Sequence, residues 1–194
     1  MDEETFWNLI ERSGQRGGSE RDRVEWLTEE LSRLPAEAIA DYCVWWKVTQ
    51  NRAGTWDLAG AYDLVLGGGS SNSFEYFANW LIGLGREACE RVTGCPEELV
   101  ELPQVRRALA QRHARRLGDP EAASWPEDDW PAFEALGHPG MGAYEQVTGR
   151  VPEVGVEARF PIGPVGLGGE EWDAEDPAEA VRRLPRTARR LGIG

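Results

Sequence analysis

Apolar side chains recur every three or four residues through roughly the first 117 positions of the 194-residue chain. In one segment, Val24, Leu27, Leu31 and Leu34 follow this spacing, which places them on one face of an α-helix. Glycine, proline and short polar residues separate one such segment from the next. The sequence therefore predicts a mainly α fold, a compact helical domain of about six to eight helices.

The last part of the chain has a different character. It is rich in glycine, proline and valine, which predicts an irregular arm with at most a short strand at Val154–Phe160. A short helix is predicted at Ala178–Leu184, broken by Pro185. We expect residues 1–149 to form a helical core and residues 150–194 to pack on it as an arm and short helix, so that the chain is one domain overall.

The formal charge limits the classes of partner. The net charge is −13 and the pI is about 4.7. Nucleic acids and anionic membranes attract clustered Lys and Arg, so we expect neither as a partner, while the acidity permits a basic protein partner. The N-terminal segment lacks the basic start and apolar run of a secretion signal, and no apolar run approaches the roughly 20 residues of a membrane span. A cytoplasmic location is expected.

Cysteine and lysine usage adds two observations. The cysteines, Cys43, Cys89 and Cys95, are odd in number and match no common zinc spacing, so no metal or cofactor is predicted. Lys47 is the sole lysine among 21 basic residues. The resulting arginine bias, with abundant Ala, Gly and Pro, is typical of GC-rich bacteria.

A glycine-rich stretch, LGGGSSNS, begins at Leu66 and allows two interpretations. It could be a loop whose backbone amides bind an anion at a helix N-terminus, with Ser70, Ser71 and Asn72 as ligand-binding residues. However, the lysine of a phosphate-binding loop is missing, and the preceding segment reads as a helix rather than a strand.

The second interpretation, which we favour, is a connection between two helices. Gly67 would end a helix over Thr55–Leu66 in the left-handed conformation that glycine adopts readily. Asn72 would then cap the next helix, with Glu75 three residues later completing a capping box.

The helix after this stretch is predicted to be the longest, at about Ser73–Val92. It carries Glu75, Asn79 and Arg86 at spacings of four and seven, which puts them on one face, and Asp57 lies on the preceding helix. A structural Asp57–Arg86 ion pair is favoured. The alternative is a ligand site in which Asn79 and Arg86 hold a carboxylate or phosphate, with Asp57 or Glu75 as weak candidates for catalytic proton transfer.

Two other charged segments have simpler explanations. The basic helix at Pro103–Leu117 could bind phosphate, but a salt-bridged or solvated face is favoured in so acidic a chain. The run Glu127-Asp128-Asp129 lacks the spacing and glycine of a calcium loop, which favours a solvated loop. The two histidines, His113 and His138, lie near no recognisable nucleophile motif, so the sequence leans against an enzyme.

A set of motifs supports a resemblance to a known family. A central motif from Trp56 to Arg86 contains WDLA, LGG, FEYF, WLI and GR in order; TFWNLI lies near the N-terminus, and AYEQVTG and GEEWD…RLPR lie near the C-terminus. This set resembles the bacterial family catalogued as domain of unknown function 4240. The family pattern usually has two acidic residues where this chain has Ser71 and Asn72. The resemblance implies a helical fold and a single domain, and it implies no particular reaction.

Three functional hypotheses follow. The favoured one is a cytoplasmic, non-catalytic interaction or regulatory module with a protein partner, because nine tryptophans and an acidic surface suit protein recognition. The second is a small enzyme or anionic-ligand-binding protein with a pocket between the helices that flank Gly67–Asn72. The third is an acidic, immunity-type inhibitor of a basic partner.

Overall fold

The computed structural model describes residues 1–116, 130–152, 162 and 166–194, and it confirms the all-α class. Within these ranges the chain forms ten α-helices and two 3₁₀ helices and no β-strand. The elements in chain order are α1 (Glu3–Gly14), α2 (Glu20–Ser32), α3 (Ala36–Ala53), α4 (Trp56–Leu66), α5 (Ser71–Gly83), α6 (Arg86–Gly94), η1 (Pro96–Glu101), α7 (Pro103–Arg116), η2 (Glu134–Gly137), α8 (Pro139–Thr148), α9 (Pro177–Arg183) and α10 (Pro185–Leu191). None of the helices in the described ranges combines the length and apolar character that crossing a membrane requires.

Several helix ends are set by local side chains, and the end at Gly67 lies where the sequence predicted it. The Asp2 carboxylate caps α1 by accepting a hydrogen bond from the Thr5 amide at 2.9 Å. Ser19 and Asp22 form a reciprocal capping box at the start of α2. Gly67 ends α4 with a φ of 96°, in the left-handed region.

The prediction of one long helix over Ser73–Val92 is wrong. The chain forms two helices instead: α5 ends at Gly83, and α6 begins at Arg86. Gly85 between them has a φ of 97°, a conformation that no residue inside a right-handed helix adopts. As a result, Glu75 and Asn79 do not share a helix with Arg86.

The core is rich in aromatic side chains. Phe6 of α1 contacts the rings of Trp7 and Tyr42, with ring centroids 5.1 and 5.2 Å apart. On α5, Phe77 stacks on Trp80 at 5.8 Å. These rings belong to one continuous apolar core, so α1, α3 and α5 are held in fixed relative positions.

Helix α8 packs on α2 and α3, and one glycine allows its close approach to α3. A Cβ atom on Gly140 would lie 2.8 Å from Cys43 Sγ and 2.8 Å from Tyr42 Cδ1. Any larger residue at position 140 would therefore push α8 away from α3.

The C-terminal segment 166–194 is attached to α4. The indole of Trp172 fills the space above Gly60, and its Nε1 donates a hydrogen bond to the Trp56 carbonyl at 3.2 Å. Arg183 lies over the Trp172 ring, 5.7 Å from its centroid, and pairs with Asp57 at 3.1 Å. The proposed boundary between residues 149 and 150 stays a prediction, and Val154–Phe160 lies outside the described residues.

Pro185 breaks the predicted C-terminal helix, as expected, but it also begins a further helix, α10. Proline is favoured in the first turn of a helix, where its missing N–H costs nothing. Arg186 of α10 donates hydrogen bonds to Glu97 at 3.2 Å and Glu98 at 2.9 Å, which ties the end of the described chain to η1.

Candidate functional site

A pocket of about 660 Å³ lies between α3, α5 and the η2–α8 segment. Helix α3 contributes one wall through Cys43, Trp46, Lys47 and Gln50, which lie three or four residues apart and so share one face. The pocket is open to solvent, and the Ile162 side chain completes its apolar lining.

Helix α5 supplies the opposite wall. Asn72, Glu75, Tyr76 and Asn79 follow the i, i+3, i+4, i+7 spacing of a single helix face, and all four line the pocket. Three of these residues, Asn72, Glu75 and Asn79, are among the candidate residues identified from the sequence. The structure therefore brings part of the predicted set to one site.

Asn79 lies at the base of the pocket and joins its three walls. It is 2% exposed, and its Oδ1 accepts hydrogen bonds from Gln50 Nε2 at 2.7 Å and from Trp46 Nε1 at 3.3 Å. Its Nδ2 donates to the carbonyl of Glu134 at 3.4 Å. A Cβ on Gly137 would lie 2.8 Å from this Nδ2, so glycine is required there for the η2 backbone to approach Asn79.

Tyr76 and Glu134 interact at the rim. The hydrogen bond between the two side chains raises the pKa of the Tyr76 phenol, because the carboxylate charge disfavours loss of the phenolic proton. Tyr76 therefore stays neutral, and both residues line the pocket.

Four polar side chains of the pocket have no side-chain partner among the residues that the structure describes. Lys47, Asn72, Glu75 and His138 form no side-chain hydrogen bond or ion pair with any residue in the described ranges. Lys47 is half-buried, whereas the other three are exposed at the rim. These groups are available to a ligand without the loss of an existing contact.

The predicted partnership of Asp57 with Arg86 is wrong. Asp57 pairs with Arg183, and Arg86 pairs with Glu90 at 2.7 Å and with Glu4 at 3.2 Å. The break at Gly85 is the reason, since it redirects the chain before Arg86. Neither Asp57 nor Arg86 lines the pocket, and Glu75 is the weak catalytic candidate that does.

The glycine-rich turn is a helix connection in the structure. Ser70, and not Asn72 as predicted, caps α5: its Oγ accepts a hydrogen bond from the Ser73 amide at 3.3 Å. The capping box of Asn72 with Glu75 is therefore wrong, because both residues lie inside the helix and face the pocket. The Ser71 side chain lies outside the described parts of the structure.

A separate cavity of about 600 Å³ adjoins Gly67–Gly69, but its charges do not suit an anion. It is lined by Asp63, Asp173 and Glu175 together with Trp172. Burial raises the pKa of Asp63, and the neighbouring charge of Glu175 raises it further. The carboxylates that line this cavity would repel the phosphate considered from the sequence.

The remaining candidates from the sequence have the following outcomes. In the described residues no three His, Cys, Asp or Glu side chains are arranged to hold a metal ion. In the basic helix α7, Arg106 forms an ion pair with Glu101, and a groove beside it is also lined by Arg112, His113 and Arg190. The acidic run 127–129 lies outside the described ranges.

Two pocket residues, Lys47 and His138, were not assigned to a site from the sequence. In the sequence, Lys47 stands out only as the sole lysine, and His138 only as a histidine near no nucleophile motif. One sequence signal was present: Lys47 and Gln50 are polar residues beside the apolar face of α3. Residues on α3, α5 and η2 are too far apart in sequence for periodicity to show that they meet.

The family comparison matches residues 1–146 to the model described as "Protein of unknown function (DUF4240)". The chain belongs to the DUF4240 family. This confirms the resemblance seen in the sequence motifs. Comparison with curated proteins and with solved structures finds no match.

The DUF4240 region contains nearly all of the described residues that line the pocket. Helices α3 and α5, η2 and the start of α8 all fall within residues 1–146, and Ile162 is the pocket residue beyond them. The Trp172–Arg183 attachment to α4 lies outside the matched region. Among the residues that the structure describes, those lining the pocket therefore come almost entirely from the DUF4240 part of the chain.

Proposed function

We propose that this protein is a non-catalytic binding module that takes a small organic molecule in the pocket between α3, α5 and α8. One observation carries the proposal: a concave site of about 660 Å³ is lined both by apolar side chains and by Lys47, Asn72, Glu75 and His138, which lack partners in the described structure. Small-molecule sites are typically about 300–1,000 Å³ and combine an apolar lining with a few polar groups.

The site is rigid enough to recognise a particular shape. Asn79 is buried and bonded to Trp46, Gln50 and the Glu134 backbone, so the walls are fixed before a ligand arrives. Preorganisation of this kind lowers the entropic cost of binding.

Binding without covalent chemistry is supported by the state of the thiols. Burial raises the pKa of Cys89 to about 12, which keeps this thiol protonated and a poor nucleophile. Cys43, which lines the pocket, is also buried. None of the three cysteines, all of which lie in the described ranges, forms a disulfide, from which we infer a reducing compartment such as the bacterial cytoplasm.

A thermal-shift screen against a metabolite library tests the proposal. Hits should raise the melting temperature of the native protein, and the effect should disappear in Asn72→Trp, whose indole would fill the mouth of the pocket. The matched control is Asn8→Trp, a change at an exposed asparagine of α1 that is outside the pocket. Hits that stabilise Asn72→Trp as well as the native protein would show that they bind elsewhere, and the proposal would fail.

A further inference from the structure

The charged side chains of the pocket indicate the chemical class of its ligand. This inference rests on the binding function proposed above. Lys47 provides a positive charge from α3, while Glu75 on α5 and Glu134 on η2 provide negative charges from the other side. We infer that the ligand is an ampholyte, a molecule with a carboxylate and an ammonium group on an apolar or aromatic body, such as a short peptide with free ends.

The carboxylate would bind at Lys47. Lys47 is half-buried as a residue, and its ammonium group has no counter-ion among the described residues, so a ligand carboxylate would pair with it. Asn79 offers a second donor nearby, because Nδ2 has two hydrogens and the Glu134 carbonyl accepts one of them. A dianionic phosphate is disfavoured, since one lysine would oppose two pocket carboxylates.

The ammonium group would bind on the acidic side. Glu75 has no partner in the described structure, and its charge is available to a cation. Glu134 is held by Tyr76, yet a carboxylate has about four lone-pair sites, and a single phenol leaves most of them open. Two carboxylates beside one pocket therefore give a site for a ligand cation.

The body of the ligand would contact Trp46, Tyr76, Met141 and Ile162. The Trp46 ring is fixed by its hydrogen bond to Asn79 and offers a rigid aromatic surface. Met141 is 44% exposed, and methionine adapts its shape and contacts aromatic rings favourably. At about 660 Å³, the pocket has room for a peptide of two or three residues and not only for a single amino acid.

Calorimetric titration with three matched probes tests this inference. The probes are alanyl-phenylalanine, its N-acetyl derivative, which lacks the cation, and its C-terminal amide, which lacks the anion. We expect the dipeptide to bind at least tenfold more tightly than either capped form. Lys47→Met should weaken the dipeptide but not the amide, and Glu75→Gln should weaken the dipeptide but not the N-acetyl form.

Two exposed residues outside the pocket give control variants: Glu87→Gln on α6 and Arg107→Met on α7 should leave all three affinities unchanged. Circular dichroism and melting temperature establish that each variant is folded. Equal affinity for all probes, or preference for either capped form, would overturn the ampholyte inference while the binding function stands. Failure of all three probes, with hits of another class in the thermal-shift screen, would overturn the ligand class alone. Absence of any hit that depends on the pocket would overturn the proposed function itself.

Discussion

The close contact between Gly60 and Trp172 predicts that Gly60→Ala destabilises the native protein but stabilises a variant that lacks the Trp172 indole. A methyl group at position 60 would lie 2.1 Å from Trp172 Cζ2, far inside the separation of about 3.5–4.0 Å at which carbon atoms attract. Gly60→Ala must therefore displace the indole, and with it the hydrogen bond from Nε1 to the Trp56 carbonyl.

The change in the free energy of unfolding is the sum of two destabilising effects and one stabilising effect. Overpacking typically costs about 1–3 kcal/mol, and the lost hydrogen bond costs about 1 kcal/mol. Replacing glycine by alanine inside a helix stabilises the helix by up to about 1 kcal/mol. We therefore expect Gly60→Ala to lower the free energy of unfolding by about 2 kcal/mol.

The same substitution should become favourable when Trp172 is absent. In a Trp172→Ala background no indole opposes the new methyl group, so Gly60→Ala should stabilise the protein by up to about 1 kcal/mol. Urea unfolding followed by far-UV circular dichroism measures both values. Gly142→Ala is the control, since its Cβ would meet only Thr28 Cγ2, at 4.0 Å, and it should be neutral or stabilising in either background. Equal destabilisation by Gly60→Ala with and without Trp172 would refute the attachment of the C-terminal segment to α4.

Three further predictions concern buried groups. Arg23 donates hydrogen bonds to the Gly83 carbonyl at 2.7 Å, to Ser13 Oγ at 2.9 Å and to the Ile10 carbonyl at 3.3 Å. Arg23→Lys should therefore lower the free energy of unfolding, measured in urea, by about 2 kcal/mol. The control Arg91→Lys, at an exposed site, should change it little. Cys89 is buried and does not line the pocket, whereas Cys95 is half-buried, so a thiol reagent should modify Cys95 in the folded protein and Cys89 only on unfolding; fast labelling of Cys89 in the folded state would contradict its burial. The free energy of unfolding should also fall as the pH rises above about 9. The thiol of Cys89 loses its proton near its ordinary pKa in the unfolded chain but only near 12 in the folded one, so that between these values only the unfolded state ionises. Urea unfolding across this range should show a shallower pH dependence in Cys89→Ala.

Some helix ends depend only on residues close by in the sequence, and such ends are the ones that local signals can predict. Asp2 and the Ser19–Asp22 pair cap helices through contacts within three residues, and Gly67 ends a helix through its own backbone conformation. The break at Gly85 was missed because Leu81, Leu84 and Ala88 keep the apolar spacing across it. A single glycine in such a pattern is no certain stop signal.

The candidate site was predictable only in part, because it is assembled from distant segments. Glu75 and Asn79 share a face of one helix, and their spacing revealed this. The partner of Asp57 is Arg183, 126 positions away, and the partners of Asn79 lie on α3 and η2. Helical periodicity describes which face of a helix is buried, but not which other helix covers it.

The central claim, that a ligand binds between α3, α5 and α8, can be tested at Lys47 itself. Because Lys47 is the sole lysine, reductive methylation with ¹³C-formaldehyde places one side-chain label inside the pocket and keeps its positive charge. We predict that the NMR signal of the methylated Lys47 shifts saturably with added ligand and gives the same dissociation constant as calorimetry. A ligand that binds by calorimetry while the Lys47 signal stays unchanged would contradict the claim.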